Sequence, residues 1–388
     1  MRTGPLRIGL VCPYSLTIPG GVQGQVLDLA RVLRRHGHEA RVLGPCDGPP
    51  PTTFVTPLGN SIPTSANGSV APLAPDPACT LRTIRALRDE EFDVLHLHEP
   101  FAPGPTHTAL LIDIAPMVAT FHAAGTSASY RYLQLPLKRV AERIEVRCVV
   151  SKDAEQLVSS FFPGEYDVLF NGVDLGRYQN AAPWKTEGPT IFFCGRHEPR
   201  KGLDLLLEAM SSLPKNVTLW VASDGPDTER LRSLSAGDQR IQWLGRLTDD
   251  EKIARLRGAS VFCAPSLRGE SFGVVLLEAM ASGTPIVASD LPGYLNVANP
   301  GVDAEIVPAG DVAALGAALL RVLTEPQRAE RLRQAGSERA THFSMERLAE
   351  EYLARYELAI STRQARTPAE SRHRRDLRRM MTRLGRRP

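Results

Sequence analysis

The stretch Gly269-Glu-Ser-Phe-Gly-Val-Val-Leu-Leu-Glu-Ala-Met-Ala-Ser-Gly283 constrains the chain more than any other. It reads as a glycine turn running into an apolar helix that starts near Phe272, with Glu270 and Glu278 on either side of the turn. The first turn of such a helix leaves backbone N–H groups unpaired and carries the positive end of the dipole, so a phosphate docks there readily. Glu270, just ahead of the helix, then faces whatever the phosphate carries. Glu278 lies within the apolar run, where a carboxylate is costly to bury unless a hydroxyl or a cation meets it. The two hydroxyls of a nucleotide ribose satisfy that need, and so does an arginine of the core.

The same strand, turn and helix grammar recurs along the 388 residues. Arg7–Cys12 reads as a buried strand, Pro19-Gly-Gly-Val-Gln23 as a turn, and Val22, Val26, Leu29 and Leu33 as one helix face. Glycines there let the backbone approach a phosphate, but the triple-glycine dinucleotide fingerprint is missing, which disfavours a nicotinamide cofactor. Residues 45–77 read as long loops with short strands. Further strands are expected at Phe92–Glu99, Pro116–His122, Glu145–Ser151 and Tyr166–Asp174, closing an α/β domain over residues 1–178. Residues 179–189, with two prolines and a glycine, read as a hinge. A second α/β domain over 190–345 holds strands at Thr190–Gly195, Val217–Gly225, Ile241–Gly245 and Val261–Pro265, followed by a terminal helix over 346–362 and a basic tail over 363–388. Ligands of open α/β sheets bind outside the carboxyl ends of the strands, which favours Glu99 and His122 as functional groups and leaves His96 to the core.

Gly195-Arg-His-Glu-Pro-Arg-Lys-Gly202 places three cations at such a strand end. Arg196 and Lys201 suit a diphosphate, one as a planar fork and one as a point charge; an exposed basic turn is the plainer alternative. Net charge is +3 overall, but residues 363–388 hold ten arginines against Glu370 and Asp376, a net of +8 that leaves −5 for residues 1–362. With Leu377, Met380, Met381 and Leu384 interspersed, that tail reads either as a solvated basic terminus or as an amphipathic helix on an anionic surface. Arg82, Arg85 and Arg88 likewise form either a solvated stripe or a face for lipid headgroups. Nucleic acid is disfavoured because no aromatics are interleaved with the basic residues. The longest apolar runs fall short of a membrane span, and no secretory signal is seen at the N-terminus, so a cytoplasmic protein is expected. Six cysteines without metal spacing read as buried thiols.

Glu270-x7-Glu278 followed by Ala279-x-Ala-x-Gly-Thr-Pro-Ile-Val-Ala-Ser-Asp290 resembles the signature of retaining GT-B glycosyltransferases. Val11-Cys-Pro-Tyr14, Pro19–Gln23, Asn67-Gly-Ser-Val-Ala71, Phe92–Pro100, Val118–His122, Asn171–Asp174 and Glu198–Gly202, taken in order, are similar to the actinobacterial phosphatidylinositol α-mannosyltransferases of glycosyltransferase family 4. The likeness spans about residues 6–360. It implies an α/β GT-B fold, with two Rossmann-like domains facing a central cleft, and transfer of mannose from GDP-mannose to phosphatidylinositol with retention. No metal or other cofactor is expected, since basic side chains neutralise the departing diphosphate. The protein would act as a peripheral protein on the inner face of the plasma membrane, with Arg82, Arg85 and Arg88 at the lipid.

By the same resemblance, His122, Arg196, Lys201 and Glu270 are the catalytic set: His122 meets the reacting sugar, Arg196 and Lys201 the diphosphate, and Glu270 the mannose. The donor is further held by Gly21, Asp249, Ser271, Phe272, Gly273 and Glu278, the last on the ribose and Asp249, or Lys252, near the base. Tyr14, Gln23 and Asn67 serve the acceptor. The chain departs from the family where an arginine follows Asn-Gly-Ser-Val-Ala, having Pro72 and Ala74 instead, and where Ala66 replaces an aromatic. Two alternatives stand beside this reading: a related transferase with a UDP-glucose type donor or another acceptor, and a non-catalytic scaffold that binds a nucleotide sugar or a lipid.

Overall fold

The computed structural model describes residues 4–66, 69–123 and 137–365. By contact the chain divides into two units, one of residues up to Phe170 together with those from Glu346 onward, the other Asn171–Met345. Each is an α/β layer structure around a wholly parallel sheet.

The first unit orders seven strands as β3-β2-β1-β6-β7-β8-β9. These are β1 (Arg7–Val11), β2 (Glu39–Gly44), β3 (Val55–Pro57), β6 (Val94–His98), β7 (Met117–Phe121), β8 (Val146–Val149) and β9 (Asp167–Val168). A separate antiparallel hairpin, β4 (Ile62–Ala66) with β5 (Ser69–Leu73), lies within the expected long-loop region. Strands β1, β6 and β7 are buried almost throughout, as a sheet covered by helices on both sides requires, with His96, His98 and Thr120 among the buried polar side chains. The helix Met345–Ala365 closes this unit through buried Tyr352 and Tyr356.

The second unit orders six strands as β12-β11-β10-β13-β14-β15. They are β10 (Thr190–Cys194), β11 (Thr218–Ala222), β12 (Ile241–Gly245), β13 (Val261–Ala264), β14 (Ile286–Ser289) and β15 (Glu305–Val307). Two apolar cores lie on opposite faces of this sheet, one around Phe192, Trp220 and Phe262 and one around Ile191, Leu219 and Val261.

The expected hinge, 179–189, packs on the second unit. Trp184 donates to the Ala254 carbonyl over 2.8 Å, and its ring and that of Trp220 flank the Arg255 guanidinium at 3.9 and 4.2 Å. The chain crosses between units earlier, after Phe170. Just beyond that crossing Val173 exchanges backbone hydrogen bonds of 2.9 Å with Phe343 and Met345, which precede the return crossing. Of the six free cysteines five are buried and Cys194 is half-buried. No helix among the described residues is long and apolar enough to cross a membrane.

Candidate active site

In each sheet the chain reverses its direction of winding between two neighbouring strands, β10 and β13 in the second unit and β1 and β6 in the first. Such switch points open a crevice at the carboxyl ends of the strands, where α/β proteins bind ligands. The residues singled out from sequence fall at these two points.

In the second unit the loop after β10 carries Arg196, Arg200 and Lys201, and the loop after β13 carries Ser266 to Gly273. Two close backbone approaches bring the loops together. A Cβ on Gly202 would stand 2.0 Å from the Pro265 carbonyl oxygen, and one on Gly293 would stand 2.0 Å from that of Glu270. Leu267 N–H also donates to the Arg200 carbonyl at 2.7 Å. Only glycine fits at either position, so the tight turn between β14 and the following residues fixes where Glu270 sits.

Glu270 gathers the polar groups. Its Oε1 accepts from Lys201 Nζ at 2.5 Å and from Ser266 Oγ at 2.9 Å, with Arg200 at 3.7 Å; Ser266 in turn lies 2.9 Å from the Tyr294 hydroxyl. Glu198 pairs with both Arg196 (2.9 Å) and Arg200 (2.8 Å). Burial, with the Glu270 carboxylate beside it, holds the Tyr294 hydroxyl well above its usual pKa, so it stays protonated. Arg200, Ser266, Gly293 and Tyr294 were not among the predicted site residues. Ser266 stands two residues past the β13 strand end and four before Glu270, a spacing that flags it in retrospect.

The helix that follows spans Val274–Ala281, two residues later than expected. Gly273 takes φ +89° at its N-cap, a left-handed conformation that stops the helix from starting at Phe272, and no side chain caps it. Its first turn is therefore open to an anion. Phe272 is 1% exposed and packs edge-on against Phe343, so it offers a ligand its backbone and not its ring. Glu278 meets a cation, as the plainer reading required, but a lysine rather than an arginine: Lys252 donates at 2.7 Å, joined by the Tyr178 hydroxyl at 3.0 Å. Burial works against the Lys252 ammonium, but Glu278, then Tyr178 and Cys194, outweigh it and raise its pKa well above the ordinary value. Asp249 is exposed and pairs with Arg177 at 3.4 Å.

In the first unit the helix Gly21–Arg35 begins behind Gly20 with no side-chain cap, and Gly21 is exposed. Gln23 Nε2 donates to the carbonyls of Ser15 (3.4 Å) and Ile18 (3.2 Å), so its side chain folds under the β1 loop. Tyr14 is half-buried and pairs with Leu73. His122, just past β7, lies 3.0 Å through Nε2 from Nδ1 of His98. Glu99, at φ +51°, accepts at Oε1 from the backbone N–H of His122 (2.6 Å) and Ala123 (2.5 Å), so it anchors that strand end. Asn67 lies outside the described residues. Arg82, Arg85 and Arg88 are exposed on the helix Pro77–Asp89, with Arg82 donating to Leu58 O at 3.4 Å and Arg85 paired with Asp89 at 3.4 Å. Among the described residues no cluster of three or more His, Cys, Asp or Glu is placed to hold a metal.

Residues 177–339 match the family described as Glycosyl transferases group 1, and residues 19–177 match Glycosyltransferase Family 4. The chain is similar to the phosphatidyl-myo-inositol mannosyltransferase of Mycobacterium leprae, with 41% identity over 92% of this chain and 98% of that protein. It is also similar to that of Mycolicibacterium smegmatis, with 40% identity over 83% of this chain and 86% of that protein. Among solved structures, sucrose-phosphate synthase from Thermosynechococcus elongatus superposes with a TM-score of 0.71 at 20% identity, over 92% of this chain and 99% of that one. Anabaena HepE in complex with UDP and glucose superposes with a TM-score of 0.68 at 16% identity, over 90% and 98%. The fold is thus GT-B, and the chain belongs to the phosphatidyl-myo-inositol mannosyltransferase family of hexosyltransferases.

Proposed function

We propose that this enzyme transfers mannose from GDP-mannose to phosphatidylinositol at a membrane surface, with retention of configuration and without a metal. The observation that carries the reading is the convergence of Arg200 and Lys201 on Glu270, beside the open first turn of Val274–Ala281. A nucleotide sugar leaves as a nucleoside diphosphate, so negative charge grows on phosphate oxygens in the transition state. Cations and N–H groups fixed there stabilise that state more than the ground state. In this reading Arg196 and Lys201 hold the diphosphate, Glu270 orients the mannose, and Glu278 takes the ribose hydroxyls. Asp249 lies toward the base, and Ser271, Phe272 and Gly273 offer backbone groups.

Both carboxylates hold a lysine, and the sequence offers no carboxylate pair at retaining-glycosidase spacing. This supports a front-face reaction in which the departing phosphate takes the proton of the acceptor hydroxyl, rather than a covalent glycosyl-enzyme. The first unit supplies the acceptor side: Gly21 at an open helix terminus, Tyr14, His122, Asn67, and Gln23, whose Oε1 is left to accept from a hydroxyl. Arg82, Arg85 and Arg88, beside Leu81 at 68% exposure, form the face for anionic lipid. The lipid phosphate needs a holder other than the family's arginine, since Pro72 follows Asn-Gly-Ser-Val-Ala here and Ala74 beyond it is fully buried.

The test is incorporation of radiolabelled mannose from GDP-mannose into lipid, with and without phosphatidylinositol vesicles. Label in a phosphatidylinositol product is expected. Thermal protection by GDP-mannose without lipid labelling would discard the acceptor, protection by UDP-glucose alone would replace the donor, and protection by neither would leave the scaffold.

A further inference from the structure

His98 is a buried titratable group beside His122 that the chemistry above leaves without a role. Strands β6 and β7 pair in register His98 to Thr120, so the two imidazoles leave neighbouring strand ends. The rings lie 5.3 Å apart between centroids at 29°, and they are 2% and 8% exposed. Behind His98, the His96 ring lies at 4.1 Å between centroids, tilted by 31°. His96 itself is saturated, through Nδ1 to the Tyr356 hydroxyl at 2.9 Å and through Nε2 to Thr120 Oγ1 at 2.8 Å; Thr120 also meets the Tyr352 hydroxyl at 3.0 Å. Glu99 fixes the His122 backbone. What remains is His98 Nε2, buried and with no hydrogen-bond partner among the described residues.

That orphan decides the direction of the 3.0 Å hydrogen bond between the pair. Burial keeps both rings neutral, so each carries one N–H. If His122 donated from Nε2, His98 would carry its proton on Nε2, an N–H buried without an acceptor. If His98 donates from Nδ1, the orphan is a bare lone pair, which costs less than an unpaired buried N–H. We infer that His98 is a positioning residue, donating from Nδ1 to Nε2 of His122 and holding His122 as its Nδ1–H tautomer.

His122 then enters the transfer as a hydrogen-bond donor and not as a base, its Nε2 lone pair being occupied. This consequence rests on the proposed function, in which the phosphate and not a histidine takes the acceptor proton; the tautomer itself does not.

The experiment is a long-range proton–nitrogen correlation spectrum of the full chain labelled with 15N-histidine. The nine histidines give nine patterns, and the one lost in His122→Gln is His122. A Nδ1–H pattern for His122 is expected in the unaltered protein, and a Nε2–H pattern would overturn the inference without any variant of His98. His98→Leu should release the bias and lower kcat roughly tenfold with the donor KM unchanged. His98→Asn, whose amide nitrogen stands near the Nδ1 position, should restore both. A Nδ1–H pattern that persists in His98→Leu would also sink it. If no mannose transfer is found, the proposed function fails while the spectrum still decides the tautomer.

Discussion

Lys201 Nζ lies 2.5 Å from Glu270 Oε1, so a cation after β10 and a carboxylate after β13 hold each other across the switch point of the second sheet. The two side chains are 16% and 11% exposed, intermediate between a surface pair and a buried one. Lys201→Ala or Glu270→Ala should therefore cost about 1–3 kcal/mol of stability. Transfer should fall by at least about a hundredfold in either, since each also faces developing charge. Denaturant unfolding together with mannose transfer checks this; near-native turnover in either variant would refute the roles given to the pair.

Gly293 stands against the Glu270 carbonyl with no room for a Cβ. Gly293→Ala should push the Glu270 loop aside, costing about 1–3 kcal/mol and weakening nucleotide-sugar binding together with turnover. Melting temperature and a donor titration give the answer. A variant as stable and as active as the parent would mean that the loop tolerates the shift.

Acid should destabilise the first unit. Burial pushes His96 and His122 down to about 3, and His98 in the same direction, from an ordinary value of 6.5. Above that ordinary value all three are neutral whether folded or unfolded, and pH has no leverage through them. Below it the unfolded chain takes up protons that the folded chain refuses, so stability falls by about 1.4 kcal/mol per pH unit for each histidine. Unfolding free energies measured from about pH 7 to about pH 5 should decline, and less steeply in His96→Gln. A flat profile across that window would contradict the buried neutral cluster.

Arg82, Arg85 and Arg88 should contribute about 1 kcal/mol each to binding of anionic vesicles, less at Arg85, which already pairs with Asp89. Replacing all three by Gln should reduce sedimentation with phosphatidylinositol vesicles and flatten its dependence on salt. Unchanged vesicle binding would remove this helix from the membrane reading.

The apolar runs at Arg7–Cys12, Thr190–Gly195 and Val261–Pro265 were legible as strands because burial on both faces leaves no polar alternation, and Phe92–Glu99 because a short apolar run there ends in polar residues. Strands β2, β14 and β15 were passed over: β2 is preceded by the polar end of a helix, and β14 and β15 are four and three residues long. Residues 179–189 read as a break because Pro and Gly interrupt periodicity, and periodicity does not reveal what the segment packs against. Trp184 and Arg255 are 71 positions apart in the chain, and nothing local announces their contact.

The sequence by itself determined the family, the two α/β units and the residue types at each strand end, since strand, glycine turn and helix are local patterns and the motifs are contiguous. Tertiary structure decided the pairings. That Lys201 meets Glu270, that Lys252 and not an arginine meets Glu278, that Gln23 folds under its own loop, and that His98 backs His122 all depend on which strands become neighbours. Parallel sheets join strands through long crossovers, so the partners at a switch point are set by topology and close packing rather than by spacing in the chain.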